Sequence, residues 1–234
     1  MSGTLNRYGE LVKANPCGVL LVAQLLGIVL YAFLELSPSD GIGRLVLSLF
    51  GMFVLVMALG VVRATPTLTW LGVVIGIPAA ILTVVDGLTG GVQPWHLWSD
   101  VAHLLFYGYT LVGLLLYMFA DEEVSSDEIL AIGATFTVGV WLFAYAYSIV
   151  QTLAPGSFLA ATNAGAPLTW MELLFLSATN MTATGLSDIV PIKPHARAVV
   201  TIQQIAGVLY VAVAVGRIVS LTGRRRAARG GSSP

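Results

Sequence analysis

The residues best suited to chemistry lie in one short stretch, Ser177-Ala-Thr-Asn-Met-Thr-Ala-Thr-Gly-Leu-Ser-Asp-Ile-Val-Pro191. It sits between two long apolar segments. It is too polar for a membrane span, and its edges are too apolar for an ordinary loop. Hydroxyl side chains flank Gly185. A glycine admits backbone conformations that a Cβ disfavours, so carbonyl oxygens there can be turned toward an ion. The chemistry implied is coordination rather than bond making. A second set is His96, Asp100 and His103, spaced four then three along one helix face. These can bind a divalent metal or sense pH. They can equally form an interfacial polar patch with an Asp–His hydrogen bond.

Such residues need elements to hold them, and the composition says which. Of 234 residues, 57% are hydrophobic and 10% are charged, against about 25% charged in soluble domains. The chain therefore reads as an all-α integral membrane protein with several spans. Six segments approach the roughly 20 residues a span needs: about 15–35, 43–63, 67–86, 95–120, 128–153 and 196–222. The first is longer than the roughly 7–15 residue core of a signal peptide and reads as a retained span. Pro78 predicts a kink in the third. Turn clusters at 37–43, 64–66 and 87–94 separate the spans, and an acidic linker, 121–128, joins the fourth to the fifth. No internal repeat is visible.

Basic residues set the orientation. Arg7, Lys13, Arg63 and the final cluster of Arg217, Arg224, Arg225, Arg226 and Arg229 fall on one side. Both termini are then expected in the cytoplasm, in a multi-pass protein of the cell membrane. The tail, 223–234, is expected to be basic and disordered, attracted to anionic headgroups. Cys17 is the single cysteine, so no internal disulfide forms. Trp95 and Trp98 read as interface anchors, Asp86 and Glu35 as solvated span ends, and Gln24 as a mid-span donor to a neighbouring helix.

One segment does not fit the span count. Residues 168–181 are too few to cross a bilayer but suit a re-entrant half-helix. Irregular backbone at that depth survives only when buried in protein or facing water. The last third thus reads as outer helix, re-entrant helix, loop and inner helix.

On those residues, the region from about 130 to 222 resembles the pore module of tetrameric potassium channels, most of all the six-span, voltage-gated-like types. Family members end the re-entrant helix in Thr-x-Thr-Thr-Val-Gly-Tyr-Gly-Asp. This chain has Met181-Thr-Ala-Thr-Gly-Leu-Ser-Asp-Ile-Val-Pro191 there. The resemblance implies six transmembrane helices, one re-entrant pore helix with a filter loop, and a homotetramer around one central pore. It implies a filter at Thr182, Ala183, Thr184, Gly185, Leu186, Ser187 and Asp188, with carbonyls of 182 to 185 as ligands and that of Leu186 in doubt. Gly207 falls at the family's hinge glycine, though a close-packing role is also open. Gly216 can bend the helix where voltage-gated members have Pro-Val-Pro.

The departures are informative. Ala183 replaces a threonine whose hydroxyl supplies the innermost ion site. Leu186 replaces a tyrosine that braces the filter, and Ser187 a glycine whose backbone conformation is costly for residues with a Cβ. A lone glycine in Thr-Gly-Leu-Ser is also similar to the loops of Trk-type potassium uptake proteins, which carry four such loops per chain.

The domains implied are a four-span unit (1–120), the linker (121–128), a pore domain (129–222) and the tail. The fourth span holds no Arg or Lys. A voltage sensor needs them, since each charge is worth about 2.3 kcal/mol per 100 mV. The expected function is a cation channel for potassium or mixed monovalent cations, not gated by an arginine sensor. The alternative is a non-conducting scaffold or sensor that keeps the pore fold. No enzyme motif appears. The expected partners are the lipid bilayer and other copies of the chain, not nucleic acid. No cofactor is expected, only permeant K+ or Na+.

Overall fold

The computed structural model describes residues 15–34, 50, 53–54, 57, 66–120, 126–161 and 165–230. Its elements in chain order are α1 (Pro16–Leu34), α2 (Pro66–Thr89), α3 (Trp95–Ala120), α4 (Ser126–Leu153), β1 (Phe158–Ala160), α5 (Trp170–Met181), β2 (Ile189–Pro191) and α6 (Pro194–Gly230). Among the described residues, five helices are long and apolar enough to cross a membrane: 16–33, 70–89, 95–119, 129–153 and 194–219. They correspond to the first, third, fourth, fifth and sixth predicted spans. The second, 43–63, lies mostly outside the described residues. Phe50, Phe53, Val54 and Met57 within it are helical, and Val54 is buried.

Helix starts follow local rules. Pro16 and Pro66 open α1 and α2, where the missing N–H is no loss. Past the end of α2, Gly90 and Gly91 carry φ of 74° and 77°, and the Gly91 N–H donates to the Asp86 carbonyl at 3.0 Å. α2 runs through Pro78 without interruption. α5 begins with a capping box. Thr169 Oγ1 accepts from the Glu172 N–H, and Glu172 Oε2 accepts from the Thr169 N–H at 2.7 Å. Two of the free amides at that helix start are thereby satisfied. At 12 residues, α5 is about 18 Å long, short of the roughly 30 Å apolar thickness of a bilayer.

α4 is the hub. α1 and α3 pack on one side of it and α5 and α6 on another, while α2 packs on α3. One core gathers Leu20, Ala23, Phe106, Leu114, Trp141 and Tyr145 between α1, α3 and α4. A smaller core gathers Tyr147, Phe158, Leu173, Leu176, Ile189 and Val200 around α5. β1 and β2 pair antiparallel, Leu159 opposite Val190, so the segment after α4 is tied to the segment after the 182–188 loop. This ribbon is a small addition to the expected all-helical fold.

Two segments differ from expectation. Ser126 to Glu128, read as linker, form the first turn of α4. Asp127 there is buried and caps another helix: its Oδ1 accepts from the Cys17 N–H at 3.0 Å, and its Oδ2 from the Tyr117 hydroxyl at 3.3 Å. A carboxylate at a helix N-terminus suits the free amides there. At the other end, α6 continues through Gly230, into the tail expected to be disordered.

Candidate ion-coordinating site

The loop 182–188 leaves α5 by folding its amides back onto the helix. The Thr182 N–H donates to the Ala178 carbonyl at 3.0 Å, Ala183 to Asn180 at 3.1 Å, and Thr184 to Thr179 at 3.1 Å. The hydroxyls of Thr182 and Thr184 also donate to the Thr179 carbonyl and lie 3.1 Å from each other. Three of the free carbonyls of the helix end, those of Ala178, Thr179 and Asn180, are thus covered by residues 182–184. Among the described residues, no N–H or O–H donates to the carbonyls of Thr182, Ala183 or Thr184, and all three residues are exposed.

Backbone hand alternates along this loop. Ala183 (φ 55°) and Gly185 (φ 65°) are left-handed, with Thr184 between them not. Ala183 is the sole non-glycine residue with positive φ among those described. The strain expected at Ser187 therefore sits at Ala183 instead, because the left-handed positions here are 183 and 185. The Gly185 carbonyl accepts from the Ser187 N–H at 3.0 Å, so it is engaged within the loop. Leu186, which stands where the family has its bracing tyrosine, is 78% exposed. Asp188 is exposed, and its carbonyl accepts from the Ala161 N–H at 3.0 Å, which joins the loop to the ribbon.

Behind the loop lies a buried polar network that sequence reasoning missed. Gln203 of α6 is fully buried. Its Nε2 donates to the Ser177 carbonyl at 2.9 Å and lies 2.7 Å from the Ser177 hydroxyl. Its Oε1 accepts from the Tyr147 hydroxyl of α4. Asn180 Nδ2 donates to the Tyr147 oxygen at 3.4 Å, and Gln204 donates to Asn180 Oδ1 at 3.0 Å. The Ser177 hydroxyl donates to the Val140 carbonyl at 2.7 Å. Three helices are thus pinned where α5 ends. Buried polar groups this well paired fix one arrangement of the elements that carry them. The one signal available in sequence was polar residues, Gln203 and Gln204, within an otherwise apolar span.

Residues 135–224 match a family model described as Ion channel. The match supports an ion-channel pore domain built from α4, α5, the loop and α6. No curated protein and no solved structure matches the chain.

Within the matched segment, Gly207 faces the end of α5. A Cβ placed there would collide with the Met181 carbonyl oxygen and come within 3.0 Å of its carbon. That close approach supports the packing role over the hinge. Gly216 has open space around it. α6 is continuous through both.

The second candidate set divides. His96 Nδ1 lies 3.2 Å from Asp86 Oδ2, and His96 Nε2 lies 3.6 Å from Asp100 Oδ2. His103 turns the other way, with Nδ1 2.8 Å from the Ser99 carbonyl and Nε2 3.1 Å from the Thr83 hydroxyl. His96, Asp100 and His103 thus do not converge, and among the described residues no group of three such side chains can hold a metal ion. Asp86, expected to be solvated, is a partner of His96. Gln24, expected to bond a neighbour, is buried with neither amide atom partnered among the described residues.

Proposed function

We propose that the chain is a cation channel conducting potassium or a mixture of monovalent cations. The carrying observation is the loop in which the amides of 182–184 are tied back to α5 while, among the described residues, nothing donates to their carbonyls and all three residues are exposed. Cation pores replace an ion's water with rings of such carbonyls. One loop cannot surround an ion, so four copies assemble around a central pore, each with six spans and α5 as the re-entrant helix. Both termini face the cytoplasm of a cell-membrane protein. Thr182, Ala183 and Thr184 supply the ligands. The Gly185 carbonyl, held by Ser187, is withdrawn, which gives fewer sites than the family filter and weaker selection against sodium. α2 to α4 carry no Lys or Arg, so no arginine sensor gates it.

The test is to purify the full chain, measure its mass in detergent, and follow rubidium and sodium flux in liposomes. A tetramer passing both ions at comparable rates supports the reading. A monomer without flux overturns it in favour of the non-conducting scaffold, and strict rubidium selectivity overturns the mixed-cation part.

A further inference from the structure

His96 sits between two carboxylates from different helices. Asp86, at the end of α2, faces Nδ1, and Asp100, one turn along α3, faces Nε2. Asp100 is nearly fully buried, and its Oδ2 accepts a 2.6 Å hydrogen bond from the Ser148 hydroxyl of α4. His96 itself is about a third exposed, at 35% of its side chain, so water reaches it. The next polar groups on these helices are His103, bonded to Ser99 and Thr83, and Tyr145, stacked on the His103 ring at 4.6 Å. None of α2, α3 and α4 carries a Lys or Arg. His96 is the one group in the cluster that can supply a positive charge.

An imidazole changes charge between about pH 5 and 8. Protonated, His96 can donate from both ring nitrogens and neutralise one of two negative charges. Neutral, it can donate from one nitrogen alone, and Asp86 and Asp100 then share a single donor between them. The tie of α2 to α3 loosens as pH rises, because two like charges near a low-dielectric interior repel.

Where that tie ends is informative. Ser148 holds Asp100, and its neighbour Tyr147 holds Gln203 and accepts from Asn180 behind the ion loop. Successive residues on a helix point about 100° apart, so one turn of α4 is gripped by the outer bundle on one side and by the loop's support on the other. We propose that Asp86, His96, Asp100 and Ser148 form a proton-responsive latch that sets, through Tyr147, how firmly the loop is held. Its conduction readout rests on the channel reading above. The tied, protonated state is the conducting one.

Rubidium flux through the full chain in liposomes, measured between about pH 5 and 8, tests this. The expected result is flux about fivefold higher at the acid end, the low end of coupling between distinct sites. His96→Gln and Ser148→Ala should flatten that profile. A second readout does not need conduction. Hydrogen exchange of the peptides covering 141–150 and 176–181, corrected for its intrinsic pH dependence, should rise with pH in the parent and not in either variant. Its use also reveals a variant that has failed to fold, by loss of protection throughout. A flat or inverted profile in a conducting parent overturns the latch, as does a response that survives both variants. If no pH gives flux, the channel reading falls, and the exchange result alone decides the latch: pH-independent protection in the parent overturns it.

Discussion

Gly207 of α6 lies directly against the backbone carbonyl of Met181, the last residue of α5. Few contacts in the chain leave so little room, and both sides are main chain, so neither can move aside by a rotamer change. α6 is thereby set against the end of α5, just where the loop departs. Gly207→Ala must push the two helices apart. Overpacking of this kind costs about 1–3 kcal/mol. The expected outcome is a lower thermal midpoint in detergent and a loss of cation flux, while Gly216→Ala, with open space around it, leaves the midpoint near that of the parent. Equal midpoints for both variants would remove the packing role.

The backbone at Ala183 makes a different prediction. Its φ of 55° is costly for any residue with a Cβ, by about 1–2 kcal/mol. Ala183→Gly removes that cost, though a more flexible unfolded chain offsets part of it. Ala183→Val adds a β-branch in a conformation where such residues are outliers. Thermal unfolding should rank Gly at or above Ala, and Val clearly below. The reverse order would show that 183 is not left-handed in solution.

The network behind the loop predicts a selectivity effect. Gln203→Leu leaves the Tyr147 hydroxyl and the Ser177 carbonyl buried without their α6 partner. The Tyr147 hydroxyl, which still accepts from Asn180, loses the acceptor for its own proton, at a cost of about 1–3 kcal/mol. Because the network backs the proposed coordinating loop and supplies none of its proposed ligands, the informative measurement is the rubidium-to-sodium flux ratio. It should shift in Gln203→Leu and return toward the parent in Gln203→Glu, which can still accept from Tyr147. A ratio unchanged in Gln203→Leu would leave the network a purely structural role.

What was legible in the sequence was whatever is written locally. The five described apolar helices and the short α5 follow from run lengths. The loop from 182 to 188 was legible as irregular backbone between two helices because its threonines and glycine lie side by side. What was not legible depends on residues far apart in the chain. Ser148 lies 48 positions from Asp100, and Tyr147 lies 56 from Gln203. Nothing in a single helix pattern brings them together. The strain was placed at Ser187 rather than Ala183 because a family motif was laid over a loop whose amides fold back differently. Asp127 was read as one more linker charge, since acidic runs between spans are ordinarily solvated.

Asp127 supplies the last prediction. Its carboxylate accepts from the Cys17 N–H, 110 positions away, and from the Tyr117 hydroxyl. It ties α1 to the start of α4 beside a fully buried thiol. In Asp127→Ala the Cys17 amide and the Tyr117 oxygen lose this partner, and the α1 end loses a favourable charge of about 0.3–1 kcal/mol. Asp127→Asn keeps an acceptor and should be milder. Because Cys17 is the single cysteine, its modification by a maleimide reports the opening of this corner without interference. Labelling should be slow in the parent, faster in Asp127→Asn, and fastest in Asp127→Ala, with cation flux still measurable because α1 lies away from the loop. Equal labelling rates in all three would show that α1 is held by its apolar packing on α4 alone.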